Sequence, residues 1–308
     1  MTLADRIKSR ALEFGFTKVG IARCEPLEEE GKRLSEWLSR GFHATMSWMD
    51  RDAEKRIDPR TIVAGAKTVI SVALNYYTPT RHSDGEGVGK ISRYAWGDDY
   101  HPIMTEKLGR FWHWLLEEFP GIEGKYYVDT GPVMDKAWAQ KAGIGWIGKH
   151  SNLITEDLGS WVFLGEVIST LEVEVDEPGT DHCGTCTLCI DACPTDAIVR
   201  PYVVDSNRCI SYLTIEHRGT IEDHAAEHFN GWIYGCDICQ DVCPWNQKFA
   251  TPGDNPAFEP REWNRAPLLR EWENMSEEEF RKKFKGSAMK RTKRAGLVRN
   301  VRIVSERT

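Results

Sequence analysis

The sequence predicts a mixed fold of the α+β or α/β class, built in three parts. Strands alternate with helices up to about residue 175, and cysteines are concentrated in the segment 176–250. A polar, proline-containing linker then leads into a basic segment at 251–308. Alternating strands and helices favour helices packed on a sheet. A chain of 308 residues is long enough for about two separately packed cores.

Periodicity and composition predict the elements in order. The apolar residues Leu3, Ile7, Ala11 and Phe14 are spaced as on one face of a helix. Short apolar or β-branched stretches predict strands at 18–22, 68–74, 126–129 and within 161–175. Further helices are predicted over 27–38, from His101 to about Leu116, and from Pro132 to about Lys141. Near the end, Ser276 followed by Glu279 predicts a capped helix start.

The charge is distributed unevenly along the chain. The net charge is −7, but 281–308 holds eleven of the 40 basic residues and only one of the 47 acidic ones, Glu306. That segment therefore carries +10 and the rest of the chain −17. The N-terminus lacks the apolar stretch of a signal peptide, and no run of about 18 apolar residues occurs. We therefore expect a cytosolic chain without a membrane span.

Eight of the nine cysteines form two related motifs. The first is Cys183-x2-Cys186-x2-Cys189-x3-Cys193-Pro194, and the second is Cys209 followed by Cys236-x2-Cys239-x3-Cys243-Pro244. The first motif is the bacterial ferredoxin pattern, in which the fourth cysteine binds the other cluster. This rule predicts one 4Fe–4S cluster on Cys183, Cys186, Cys189 and Cys243, and a second on Cys193, Cys209, Cys236 and Cys239.

Two structural zinc sites are the alternative interpretation, because paired CxxC motifs also bind zinc. Zinc ribbons have no need of a CxxCxxCxxxCP run, so the pattern favours iron–sulfur clusters. The remaining cysteine, Cys24, is predicted to be a small buried thiol.

Individual residues of the N-terminal part are ambiguous. Gly143-x-Gly145-x-x-Gly148 matches a dinucleotide fingerprint, but it follows a predicted helix where that fingerprint requires a strand. Asp129 lies at the end of a predicted strand and is therefore a candidate ligand-site carboxylate, or else a turn or cap residue. Arg56 and the polar, aromatic stretch 92–101 are further candidates, although each of these residues taken singly favours a structural role over a catalytic one.

Taken together, the order of motifs resembles the epoxyqueuosine reductases. The motifs are EKR…P, RYAWGDDYH, VDTGPVMDKAWAQKAGIGWIGK, the ferredoxin run and YGCDICQDVCPWN, and the resemblance extends from about Phe14 to Asn300. These are cobalamin-dependent iron–sulfur enzymes of the last step of queuosine synthesis in tRNA. The resemblance implies an N-terminal domain similar to reductive dehalogenases and nitroreductases, which holds cobalamin base-off while the clusters reduce it to Co(I). It also implies that Asp129 is the proton donor, with a pKa that we expect burial to raise.

The resemblance assigns further residues by their positions in the motifs. Residues implied at the cobalamin are Arg56, Ser92, Asp129, Leu153, Leu164, Ser211 and Asp237. Residues implied at the substrate pocket are Asp99, Tyr100 and His101. Within the basic segment, Lys290, Arg291, Lys293 and Arg294 are candidates for tRNA phosphate contacts. Trp245 is a candidate either for stacking on an unstacked base or for core packing.

The implied domains are a cobalamin-binding catalytic domain at 1–175, a ferredoxin-type domain at 176–250 and a basic tRNA-contacting segment at 251–308. The implied partners are the anticodon loop of epoxyqueuosine-containing tRNA and an external electron donor, and we expect a cytoplasmic monomer. Longer family members carry a C-terminal helical-repeat extension, and this chain stops at Thr308. We therefore expect part of the usual anticodon-stem contact to be either missing or supplied by the basic segment. Two alternatives stay open: a corrinoid reductase of small molecules, and a carrier that only transfers electrons.

Overall fold

The computed structural model describes residues 1–83 and 85–307, so Asp84 and Thr308, the last residue of the predicted basic segment, lie outside the described residues. The helices are α1 (Leu3–Glu13), α2 (Glu28–Ser39), α3 (Ala53–Ile57), α4 (Tyr100–Glu118), α5 (Asp135–Lys141), α6 (Leu188–Asp191), α7 (Ile210–Ile215), α8 (Asp223–Ala226), α9 (Ile238–Asp241), α10 (Pro244–Phe249), α11 (Glu262–Arg265), α12 (Leu269–Trp272), α13 (Glu277–Lys283) and α14 (Lys293–Ser305). The strands are β1 (Lys18–Arg23), β2 (Thr68–Asn75), β3 (Lys90–Ile91), β4 (Gly124–Tyr127), β5 (Trp146–Ile147), β6 (Leu153–Ile154), β7 (Val162–Ser169), β8 (Ile198–Arg200), β9 (Val203–Val204) and β10 (Trp232–Tyr234).

The predicted N-terminal helices and strands are present, with two main differences. Strand β4 ends at Tyr127, so the strand predicted over 126–129 extends two residues too far. Helix α5 begins at Asp135, so the predicted start at Pro132 is wrong. The backbone of the preceding residue, Met134, is not helical (φ −95°, ψ 75°), and Pro132 therefore lies in the loop before the helix. The capping box predicted at Ser276 and Glu279 is confirmed at the start of α13.

A four-stranded sheet in the order β1-β2-β7-β4 organises the N-terminal part. All three strand pairs are antiparallel, which makes this part α+β. Strand β2 is buried along its whole length because it is paired on both sides and covered on both faces. Its apolar residues therefore lie on both faces of the sheet and do not alternate with exposed polar ones.

The two faces of the sheet carry different helices. One face packs Ile70 and Val72 of β2 and Val167 of β7 against α1 and α4 in one hydrophobic core. The opposite face packs Val69 and Ile168 against α5 in a second core. Cys24 lies in that second core and is 4% exposed, which confirms the predicted buried thiol.

The cysteine-rich part is built from short elements, the helices α6 to α10 and the strands β8 to β10. Beyond it, a third core joins the C-terminal helices to residues from much earlier in the chain. Leu297 and Val301 of α14 pack there with Ile233 of β10 and with Trp96. The basic segment is therefore part of the packed fold. Over the described residues, no helix is long and apolar enough to cross a membrane.

Candidate functional site

The eight clustered cysteines line two separate cavities. A small cavity of about 50 Å³ is lined by Cys183, Cys186, Cys189 and Cys243. A larger one of about 550 Å³, here called the central cavity, is lined by Cys193, Cys209, Cys236 and Cys239. These are the two groups that the crossover rule gives. Four thiols around a common cavity are the donor set that a 4Fe–4S cluster requires, so the residues fit that group.

Tight turns before α6 and at the start of α9 bring close cysteines to one cavity. The amide of Cys186 donates to the carbonyl of Cys183, so the first CxxC segment closes a tight turn before α6. The amide of Gln240 donates to the carbonyl of Asp237 in the first turn of α9, which follows Cys236 and contains Cys239. The short helices α6 and α9 pack against each other. The chain thereby carries Cys193 and Cys243 away from their own motifs and towards the other group.

The central cavity also receives residues of the N-terminal sheet and its loops. Besides four cysteines, its wall contains these predicted residues: Ser92, Tyr100, Asp129, Leu153, Leu164 and Ser211. The wall is mainly apolar and has a few hydroxyl groups, as in typical cofactor sites. The structure thus brings these residues together in one cavity; their individual roles remain predictions.

Asp129 follows β4 and has a left-handed backbone, with φ of +54°. Aspartate tolerates this conformation better than most residues. Its side chain is 60% exposed. Its Oδ2 accepts a hydrogen bond from the hydroxyl of Tyr100 at 3.0 Å and lies 3.3 Å from Nε2 of His101. The other ring nitrogen of His101, Nδ1, lies 2.7 Å from Oδ1 of Asp99.

The expectation that burial raises the pKa of Asp129 is wrong. The hydrogen bond from His101 lowers the pKa of Asp129 and outweighs the opposing effect of burial. Burial disfavours the charged imidazole, but hydrogen bonds to Asp129 and Asp99 raise the pKa of His101 to about 9. At neutral pH the proton of this pair is therefore on His101, and Asp129 is a carboxylate.

Asp237 lies behind the wall of the central cavity and is fully buried. Its carboxylate accepts hydrogen bonds from the Ser92 hydroxyl and, at 2.9 Å, from the backbone amide of Arg93. The Arg93 guanidinium bridges Asp237 and Asp241. Because Asp237 lies between two cluster cysteines in the chain, this network fixes the cysteine loop to the segment that presents Ser92.

Arg56 lines a second cavity of about 960 Å³, here called the outer cavity. The two cavities share Asp129 and Lys136, so they adjoin at the acid. Nη2 of Arg56 donates to the Trp48 carbonyl at 3.2 Å. The structure therefore separates Arg56 from Ser92, which lines the central cavity.

A third cavity, of about 630 Å³, is lined by Lys290, Arg291 and Lys293, and is here called the basic cavity. Arg291 lies over the ring of Trp48 at 5.1 Å and donates to Glu216. Arg294, in contrast, donates its Nε to the carbonyl of Met275 at 2.6 Å. The four predicted cations thus differ: three line the basic cavity, and Arg294 is not among its lining residues.

Trp245 packs edge-on against Trp146 with ring centroids 4.8 Å apart, and it lines the small cysteine cavity. This geometry favours core packing, one of the two predicted roles of Trp245.

Sequence reasoning missed three polar residues near the site. His150 is 4% exposed and lines both cysteine cavities. Asp135 lines the outer cavity, and Glu166 is fully buried behind it. A signal existed for Glu166, since it is a charged residue in the middle of an otherwise apolar strand.

The fold and the cavities define a redox protein in which a site for two iron–sulfur clusters adjoins an acid-lined cavity. Residues 182–246 match the family model of the 4Fe-4S double cluster binding domain. Residues 56–130 match the model described as Epoxyqueuosine reductase QueG, DUF1730. The epoxyqueuosine reductase of Cellulophaga algicola is 48% identical over 97% of this chain and 96% of its own length. That of Synechocystis sp. is 50% identical over 92% of this chain and 98% of its own.

Solved structures agree with these matches. The crystal structure of an epoxyqueuosine reductase with an epoxyqueuosine-modified tRNA-Tyr stem loop superimposes with a TM-score of 0.92. It is 33% identical and covers 99% of this chain and 81% of its own. The chain belongs to the epoxyqueuosine reductase family, a family of oxidoreductases.

Proposed function

We propose that this chain reduces epoxyqueuosine to queuosine at the wobble position of tRNA, with cobalamin bound in the central cavity. The observation that carries the proposal is that one cavity is lined both by Asp129 and by the four cysteines of a cluster site. Electrons and a proton can thus reach the same space. The clusters receive their electrons from an external donor. A cytoplasmic monomer remains our expectation.

Ser92, Leu153, Leu164 and Ser211 would hold cobalamin in the central cavity, and Arg56 would contact it from the outer cavity. Held by these residues and reduced to Co(I), cobalamin would supply a strong nucleophile. The apolar wall formed by Leu153 and Leu164 excludes water from this space.

The proton for the departing epoxide oxygen comes from Oδ2 of Asp129. Because the resting proton is on Nε2 of His101, His101 first passes it to Oδ2 of Asp129. Asp99 accepts from Nδ1 of His101 and so keeps Nε2 directed at Asp129. The Tyr100 hydroxyl donates to the same Oδ2 and restrains the carboxylate. A related structure, from Bacillus subtilis, shows the catalytic aspartate loop swung out of the active site, which fits a mobile Asp129 loop here.

The basic cavity is the proposed contact for tRNA phosphates. Lys290 and Lys293 are exposed there, and the rest of the chain is acidic, so a polyanion would be drawn to this face. A small-molecule reductase would have no use for this concentration of charge.

An anaerobic assay with epoxyqueuosine-containing tRNA, reduced cobalamin and the reconstituted clusters tests the proposal. We expect conversion to queuosine that requires both cofactors. Conversion of a small halogenated or epoxide substrate, with no conversion of the tRNA, would favour the alternative function.

A further inference from the structure

Glu166 is a buried acid in the centre of the sheet. It is 0% exposed and lies on β7, directly opposite Ser71 of β2 on one side and Tyr127 of β4 on the other. Directly opposite residues share a face of an antiparallel sheet, and this face is the one covered by α5. Neither carboxyl oxygen of Glu166 has a hydrogen-bond partner among the described residues. A lone buried carboxylate of this kind is strongly unfavourable.

The group that faces Glu166 is a second carboxyl, that of Asp135 at the start of α5. Helix α5 packs on β7, and each of the two acids changes the pKa of the other, so their carboxyl groups are neighbours between the helix and the sheet. The Oδ1 atom of Asp135 is buried and, over the described residues, also without a hydrogen-bond partner. Burial raises the pKa of Asp135 to about 7, and burial together with the charge of Asp135 raises that of Glu166 well above its usual value.

The charged groups around the pair do not neutralise it. Lys136 and Arg56 act on Asp135 from a distance, while their own hydrogen bonds go to Ser151 and Trp48. The remaining neighbour is Asp129, whose charge raises the pKa of both acids. At neutral pH the Asp135–Glu166 pair therefore retains at least one proton next to the proposed proton donor.

The proposed reaction needs more than one proton. When an epoxide becomes an alkene, both of its C–O bonds break, a C=C bond forms and the oxygen leaves as water. The balance requires two electrons, which the clusters supply, and two protons. The Asp129–His101 pair holds only one of these protons in its resting state. A second proton must reach the same oxygen before the cycle ends.

We propose that the Asp135–Glu166 pair is the store for this second proton, which passes from Glu166 to Asp135 and then to Asp129. The inference rests on the proposed function. Asp135 and Asp129 line the same outer cavity, so the last transfer has a shared space to cross. After His101 has given up its proton, the imidazolium that lowers the pKa of Asp129 is gone, and Asp129 can take a proton again. Glu166 and Asp135 therefore act on the reaction through Asp129, to which they deliver the proton.

Infrared spectroscopy of the substrate-free holoenzyme tests the store without requiring turnover. We expect a carbonyl stretch of a protonated carboxylic acid at neutral pH, shifted in D₂O and lost in Glu166→Gln. Ser71→Ala is the matched control, because Ser71 is the buried cross-strand neighbour of Glu166; it should keep the band. A Glu166→Gln spectrum that retains the band would overturn the proposal, and Asp135→Asn, which should shift the band, gives a second independent reading.

Turnover kinetics then test the use of the proton. In Glu166→Gln we expect kcat to fall about tenfold or more, a larger solvent deuterium effect and an unchanged KM for tRNA. Ser71→Ala should match the parent protein in all three. An unchanged kcat and isotope effect in Glu166→Gln would contradict the proposal. If the parent protein itself fails to convert tRNA, the proposed function fails, while the infrared result still decides whether the pair stores a proton.

Discussion

The Nε2 atom of His101 lies 3.3 Å from Oδ2 of Asp129, at the edge of a cavity that four cluster cysteines also line. The proton donor of the proposed reaction is therefore a pair of residues.

Asp129→Asn should retain both clusters and bound cobalamin but lose about 10²- to 10⁴-fold in turnover, because an amide cannot deliver the proton. Single-turnover conversion of tRNA under anaerobic conditions measures this. Asp254→Asn, an exposed aspartate, is the control and should behave as the parent protein. Near-normal turnover of Asp129→Asn would remove Asp129 from the proton-donor role.

Stability should depend on the ionisation of His101. Its folded-state pKa of about 9 is above the ordinary value of 6.5, so its contribution is complete below pH 6.5 and is lost as the pH rises through 9. The Tm of the parent protein should decline over this window, and His101→Gln should decline less. Identical Tm profiles of the two proteins would show that the pair is not charged as described.

Iron content should reveal which cysteines belong together. Cys193→Ser with Cys209→Ser should lose about half of the bound iron, because both belong to one cluster. Cys189→Ser with Cys193→Ser should lose nearly all of it, although these two are closer in sequence. Cys24→Ser should lose none. If the Cys189 and Cys193 pair lost only half, the crossed assignment would be wrong.

Binding of tRNA should weaken when Lys290 and Lys293 are replaced by alanine. Each lost phosphate contact should reduce the slope of log affinity against log salt by about 1. Gel shifts over a series of salt concentrations measure the slope. Lys67→Ala is the control, since Lys67 is paired with Glu172 elsewhere. Equal slopes for all variants would argue for a different tRNA surface.

The C-terminal helix should be needed for stability. Leu297 of α14 is 0% exposed, so Leu297→Ala should lower the free energy of unfolding by about 2–5 kcal/mol. Lys282→Ala, on an exposed part of α13, should stay within about 0.5 kcal/mol. Denaturant titration distinguishes the two. A small effect of Leu297→Ala would mean that α14 is loosely attached.

The sequence by itself determined the cysteine groups, because ligand spacing along the chain restricts which thiols can meet. It also determined the main N-terminal helices and strands, whose periodicity is local. The motif order pointed to the family, and the comparisons confirm it.

Only the tertiary structure decided the protonation of the site. The pKa of Asp129 depends on His101, which is 28 residues away in the chain and was considered only as a pocket residue. The acid pair of Asp135 and Glu166 forms because α5 crosses the face of β7, and no local pattern specifies that contact. Burial and charge act through space. The spacing of the cluster cysteines is therefore visible in the sequence, whereas the protonation states of the acids depend on tertiary packing.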